Sequence, residues 1–86
     1  MRRIRYSEHA STKIILLKRH GFHVDHTFIE ECIKSPDKVE SGYRQRKIAQ
    51  KAYDESHVLR AVYEERSGEI LVITVYPGRR SRYERN

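Results

Sequence analysis

From Lys38 to Tyr76 apolar residues recur at every second position in four runs, "KVESGY", "RKIAQKAY", "HVLRAVYEE" and "EILVITVY", parted by turn residues around Gly42, Asp54 and Gly68. Side chains of a strand point alternately to its two faces, so runs of this kind are sheet with one face buried. Connections this short join strands only antiparallel, because a parallel pair needs a crossover of a dozen residues or more. The C-terminal half is therefore predicted to be an antiparallel meander.

The N-terminal half carries a different period. "RIRYS" alternates and reads as a strand with Ile4 and Tyr6 on one side, after which Ser7 is a good N-cap for a helix through "EHASTKIILLKRH", closed by Gly21. Ala10, Ile14 and Leu17 form its apolar stripe, with Lys13 and Lys18 outward. Asp25 caps a second helix with Val24 and Ile29 spaced as a hydrophobic staple, Phe28, Cys32 and Ile33 inward, and Pro36 as a stop. The expected architecture is a single α+β domain over residues 1–86, β-α-α-β-β-β-β, with a two-helix hairpin on one face of the sheet.

The "ERSGE" turn decides which residues the helices cover. A three-residue loop, Arg66, Ser67 and Gly68, with Gly68 left-handed, pairs Glu65 with Glu69 and aligns Leu59, Ala61 and Tyr63 with Leu71, Ile73 and Val75. A two-residue loop would bring Arg60 and Glu64 onto the face of Leu71 and Ile73, so the longer loop is preferred. Arg60, Val62, Glu64, Val72, Thr74 and Tyr76 then form the uncovered face.

Several function classes find no support. The N-terminus lacks the apolar segment of a signal peptide, and Ile70 to Gly78, the longest uncharged run, is too short to span a bilayer, so a cytoplasmic protein without a membrane role is expected. The single cysteine, Cys32, lies on the apolar stripe and reads as core. The four glycines are scattered in turns rather than gathered in a phosphate-binding loop. His20, His23 and His26 straddle the end of one helix and the start of the next, so no metal site and no cofactor is expected. At 86 residues a core is small enough that a homodimer or a complex is expected to complete it.

What remains is charge. The net charge of +6 comes in blocks, basic over 1–20, 43–53 and 76–86 and acidic over 21–42 and 54–75. Three basic groups, Arg2, Arg3 and Arg5, then Arg44, Arg46, Lys47 and Lys51, then Arg79, Arg80, Arg82 and Arg85, can meet on the uncovered side of the sheet as a nucleic-acid surface. Tyr43, Tyr53, Tyr76 and Tyr83 are placed among them as candidates to stack on bases. These residues also suffice for cutting RNA without a metal: Arg60, Arg79 and Arg80 to hold the phosphoryl charge, and Tyr76, Tyr83, His57 or His9 to move protons. Pro77 and Gly78 are expected to turn the chain, bringing Arg79, Arg80 and Tyr83 beside Arg60. Arg60 and Arg80 stand outside the apolar set, so replacing either is expected to leave the fold intact.

"SEHA" opening the first helix, "SPDKVE" after the second and "HVLRAVYEE…EILVITVYPGRRSRY" at the end resemble a family of small microbial proteins of unsettled function and, more distantly, the RelE/ParE-like toxins of toxin–antitoxin pairs. The resemblance spans nearly the whole chain and implies a RelE-like fold. For the RelE-like members it implies an endoribonuclease acting on ribosome-bound mRNA and neutralised by an antitoxin that wraps it. The positions that correspond are Arg60, Tyr76, Arg79, Arg80 and Tyr83. Glu64 and Glu65 depart from a uniformly basic face, and ParE-like members use the same fold on gyrase.

Overall fold

The capping signals form as the residues imply in the computed structural model, which describes residues 3–84. β1 (Arg3–Tyr6) leads into α1 (Glu8–Arg19), whose N-cap Ser7 accepts a hydrogen bond from the Ala10 amide at 3.0 Å. α1 ends in a Schellman motif: Gly21 takes φ +89, its amide donates to Lys18 O at 3.1 Å and the Phe22 amide to Leu17 O at 2.8 Å. α2 (His26–Lys34) starts at Asp25, whose Oδ1 accepts from the Phe28 amide at 2.8 Å, with Val24 and Ile29 both buried.

β2 (Lys38–Ser41), β3 (Lys47–Ala52), β4 (His57–Arg66) and β5 (Glu69–Arg79) form the antiparallel meander. β1 joins its far edge parallel to β5, giving the order β1-β5-β4-β3-β2. The fold is thus α+β, and it departs from the expected element order by a short turn at Tyr43–Gln45 and a final helix, α3 (Arg80–Tyr83). α1 lies over β1 and β5, α2 over β3 and β4. Between them and the sheet sit Ala10, Leu17, Val24, Ile29, Cys32 and Ile33 against Ala49, Leu59, Ala61, Tyr63, Ile70, Val72 and Val75. Cys32 is core as expected: its thiol donates to Ala49 O at 3.4 Å, and burial pushes its pKa up to about 11.

The β4–β5 register corrects the expected face. The loop holds two residues, Ser67 and Gly68, because Arg66 pairs with Glu69 and Glu65 with Ile70. Gly68 is left-handed, φ +73, as expected. A two-residue loop alone would set Arg60 against the wrong residues, but a bulge intervenes: Tyr63 pairs with Val72 and Val62 with Thr74, leaving Ile73 unpaired. Ile70 and Val72 therefore face the helices before the bulge and Val75 after it, while Leu71 and Ile73 are only partly buried. The carbonyl of Ile73 accepts a hydrogen bond from Ser7 Oγ at 2.7 Å, so one hydroxyl both caps α1 and satisfies the bulge.

Candidate nucleic-acid interface

On the face away from α1 and α2, Arg60 lies at the centre of β4, opposite Tyr76 on β5 and Gln50 on β3. Its Nε donates to Tyr76 Oη at 2.9 Å, one terminal nitrogen to Gln50 Oε1, and both terminal nitrogens to the Glu40 carboxylate at 3.4 and 3.3 Å. The ring of Tyr83 covers the guanidinium at 4.3 Å from its centroid. Burial opposes the charge on Arg60, but the bonds to Tyr76 and Glu40 outweigh it and hold its pKa above the ordinary value. Arg60 in turn, with Lys38, holds the Glu40 carboxyl below its usual range.

Arg60 is only 3% exposed and Gln50 2%. The cover is the C-terminal segment, which folds back as expected, although the turn lies elsewhere. β5 runs straight through Pro77 and Gly78, pairing Pro77 with Leu59 and Gly78 with Val58, and the chain turns only after Arg79. Arg80 N donates to Ser56 O at 2.9 Å, so Gly78 and Val58 also form a hydrogen-bonded pair and Pro77 sits where no ladder donor is needed. Tyr83 packs directly on Gly78, at a spot a Cβ would occupy, and its carbonyl accepts from Gln50 Nε2 and Lys38 Nζ, each at 3.3 Å. Val58 lies fully buried on this side, away from the main core. Arg60 thus belongs to a buried polar network, which contradicts the expectation that its removal would leave the fold untouched.

A cleft of about 480 Å³ opens at the His57 end of β4, lined by Glu55, Ser56, His57, Arg79, Arg80 and Ser81. His57 Nδ1 is 3.0 Å from Asp54 Oδ1, and the ring packs edge-on against Phe22 at 5.0 Å between centroids. Amides of Ser56 and His57 also donate to Asp54 Oδ1, at 2.8 and 2.7 Å, and these bonds, that from Ser56 foremost, hold the carboxyl below its usual range. The loop geometry therefore fixes Asp54, and Asp54 orients the imidazole through Nδ1, with Nε2 making no hydrogen bond to a described residue. Arg80 Nε binds Glu84 at 2.7 Å and its terminal nitrogen reaches Asp54 O at 3.3 Å. Arg79 is exposed and makes no ion pair with a described residue.

The structure brings His57, Arg79 and Arg80 together at the end of the sheet, whereas Arg60 and Tyr76 lie on the face opposite to His57, where Tyr83 rather than Arg79 or Arg80 covers the Arg60 guanidinium. Other expected contacts lie apart. Arg46 pairs with Glu64 at 3.2 Å and Lys47 pairs with Glu65, so the two glutamates neutralise this end of the sheet. Lys51 donates to Ser35 O at 2.9 Å, at the end of α2. Tyr53 is packed against Phe22 and Phe28 on the helix side, where its hydroxyl accepts from the His23 amide at 2.8 Å, so it offers no free ring to a base. His9 is exposed on the first turn of α1, across the sheet from Arg60. Arg82 stacks on Tyr83 at 5.5 Å, Arg44 on Tyr43 at 5.4 Å, and Arg5 pairs with Glu69 at 3.5 Å. Arg2 and Arg85 lie outside the described residues. Glu40, Gln50 and Asp54, which the sequence does not single out, complete both clusters; a polar residue on an alternating strand gives no sign of what will cover it. No family model, curated protein or solved structure matches the chain.

Proposed function

We propose that the chain binds RNA in the His57–Arg79–Arg80 cleft and cleaves it there, as a RelE-like toxin acting on ribosome-bound mRNA and restrained by an antitoxin. The observation that carries this is the cleft itself, where a histidine oriented by a carboxylate stands beside two arginines. Arg79 grips a phosphate through its planar fork, and Arg80, held by Glu84 and Asp54 O, adds its charge to oppose that building on the phosphate oxygens. His57 Nε2 takes the proton of the 2′-hydroxyl as its oxygen attacks the adjacent phosphorus. The P–O5′ bond then breaks, and the imidazolium returns that proton to the departing 5′-oxygen, leaving a 2′,3′-cyclic phosphate. Asp54, through its contact to Nδ1, keeps the ring in one orientation across the two transfers.

A second reading, a non-catalytic RNA-binding module, is favoured by the burial of Arg60 and its pairing with Glu40, which withdraw from any phosphate a residue the resemblance places at the centre. One experiment separates the two. Wild type, His57→Gln and the double variant Arg79→Ala/Arg80→Ala are expressed without antitoxin, and cleavage of translated mRNA is mapped. His57→Gln is expected to bind RNA normally and lose roughly 10²- to 10⁴-fold in cleavage rate. The double variant is expected to lose binding as well. Wild type that binds but never cuts leaves the binding module; wild type that does neither ends both readings.

A further inference from the structure

At the far end of the sheet, the turn between β2 and β3 presents a side chain that neither the core nor the cleft uses. Tyr43 is 78% exposed, the most exposed of the large apolar side chains among the described residues, and the guanidinium of Arg44 lies over its ring at 5.4 Å from the centroid. It is held out by a tight turn. The Gly42 amide donates to Arg46 O at 2.6 Å and the Arg46 amide to Tyr43 O at 3.2 Å, while Arg44 (φ 57) and Gln45 (φ 64) both take left-handed backbone.

Two successive left-handed residues are the requirement of a two-residue hairpin turn that Asn-Gly meets easily and Arg-Gln does not. The fold would be better served by Asn-Gly here, and by a polar residue in place of Tyr43. Strain of this kind is kept where a side chain has to be displayed in a set direction. A rigid phenol with a cation over one face and open solvent around it is the arrangement that stacks on an unpaired base while the cation meets the neighbouring phosphate.

We infer that the Tyr43–Arg44 tip is a second RNA contact, stacking on an unpaired base of single-stranded RNA that also enters the cleft. This rests on the proposal that the chain binds RNA. Lys47 pairs with Tyr63, six residues along β4 from His57 in the cleft, and the tip lies beyond Lys47, so the two contacts stand at least roughly 20 Å apart along the strand direction. The ligand is thus a strand of several nucleotides rather than a mononucleotide.

The test is fluorescence anisotropy with a labelled single-stranded RNA of roughly twelve nucleotides and the same strand carrying abasic positions. Tyr43→Ala should weaken binding to the intact strand roughly 5- to 100-fold and bind the abasic strand no worse than wild type does, whereas Tyr43→Phe should stay close to wild type. The dependence on salt should not change with Tyr43→Ala, since no phosphate contact is lost. The double variant Arg44→Asn/Gln45→Gly should melt higher than wild type yet bind the intact strand more weakly, a combination that a purely structural turn would not give. Equal binding by Tyr43→Ala and wild type, or equal binding of wild type to both strands, overturns the tip contact while the cleft stands. A Tyr43→Ala defect seen only with a protein antitoxin also overturns it, and wild type that binds neither strand overturns the tip and the cleft together.

Discussion

Arg60→Ala tests whether the buried network holds the molecule together. The substitution leaves the Gln50 oxygen, 2% exposed as a residue, without its partner, frees Tyr76 Oη, and leaves Glu40, whose side chain keeps 38% of its surface in water, with Lys38 alone. An unsatisfied buried polar group costs about 1–3 kcal/mol, and a lost hydrogen bond from a charged donor about 1.5–3 kcal/mol. The exposed side of Glu40 relieves its share, so the whole falls below the 3–5 kcal/mol of a fully buried pair and is about 2–4 kcal/mol. For a domain of this size that lowers Tm by roughly 10–30 °C, read by calorimetry or by circular dichroism at neutral pH. Arg60→Lys, which keeps the charge and loses the fork, should fall between the two, and Glu40→Gln should cost about 1 kcal/mol or less because that carboxylate is half in water. If Arg60→Ala melts within about 2 °C of wild type, the guanidinium contributes nothing net and the reasoning fails. The same number governs any activity assay, since an inactive Arg60→Ala that is largely unfolded says nothing about chemistry.

Gly78→Ala would drive a methyl into the Tyr83 ring and lift α3 from Arg60, at about 1–3 kcal/mol, and a melting point equal to wild type would show that the ring is not seated there. Val72→Thr should destabilise by about 1–3 kcal/mol while Leu71→Thr stays under about 1 kcal/mol; equal or reversed costs would remove the bulge at Ile73. With its pKa near 11 and no exposure, the Cys32 thiol should resist alkylation at neutral pH until the chain unfolds, and rapid labelling of the native protein would contradict its placement. The Glu40, Asp54 and Glu64 carboxyls are held below their unfolded values by Arg60 and Lys38, by the Ser56 amide with His57, and by Arg66 and Arg46. Each therefore adds stability above the unfolded pKa of about 4 that is lost as pH falls through the folded value, so Tm should hold from neutral pH to about 5 and drop below about 4.

The meander, both helix caps and the Gly21 stop were legible because each rests on a local rule: a period, a side chain that bonds its own backbone, a residue free to take positive φ. The inward set on β5 was not, because alternation predicts faces only for an unbroken strand. The bulge at Ile73 inverts them midway with nothing in "EILVITVY" to mark it. The break between "KVESGY" and "RKIAQKAY" was legible, but the left-handed backbone of Arg44 and Gln45 was not, since these residues argue against the conformation they adopt. Among site residues, the meeting of Arg79 and Arg80 with His57 follows from strand pairing, His57 being opposite Arg79. That Arg60 would be covered rather than open depends on Tyr83 returning across Gly78, a contact between the chain end and a strand that no local pattern encodes.

The hydrogen bond from Ser7 to Ile73 sets an order of events in time. Residues 3–6 complete the sheet only by lying against 69–72, and the hydroxyl that starts α1 is anchored on the bulge between those partners and the end of β5. The β4–β5 hairpin closes across two residues, whereas β1 must close a loop of most of the chain, so loop-closure entropy favours the hairpin forming before the N-terminal strand docks. During synthesis the order of appearance is reversed: the strand that waits is made first. Until residues 69–72 leave the ribosome, β1 has no edge to pair with and the apolar stripe of α1 has no sheet to cover, so the whole N-terminal third stays exposed through most of translation.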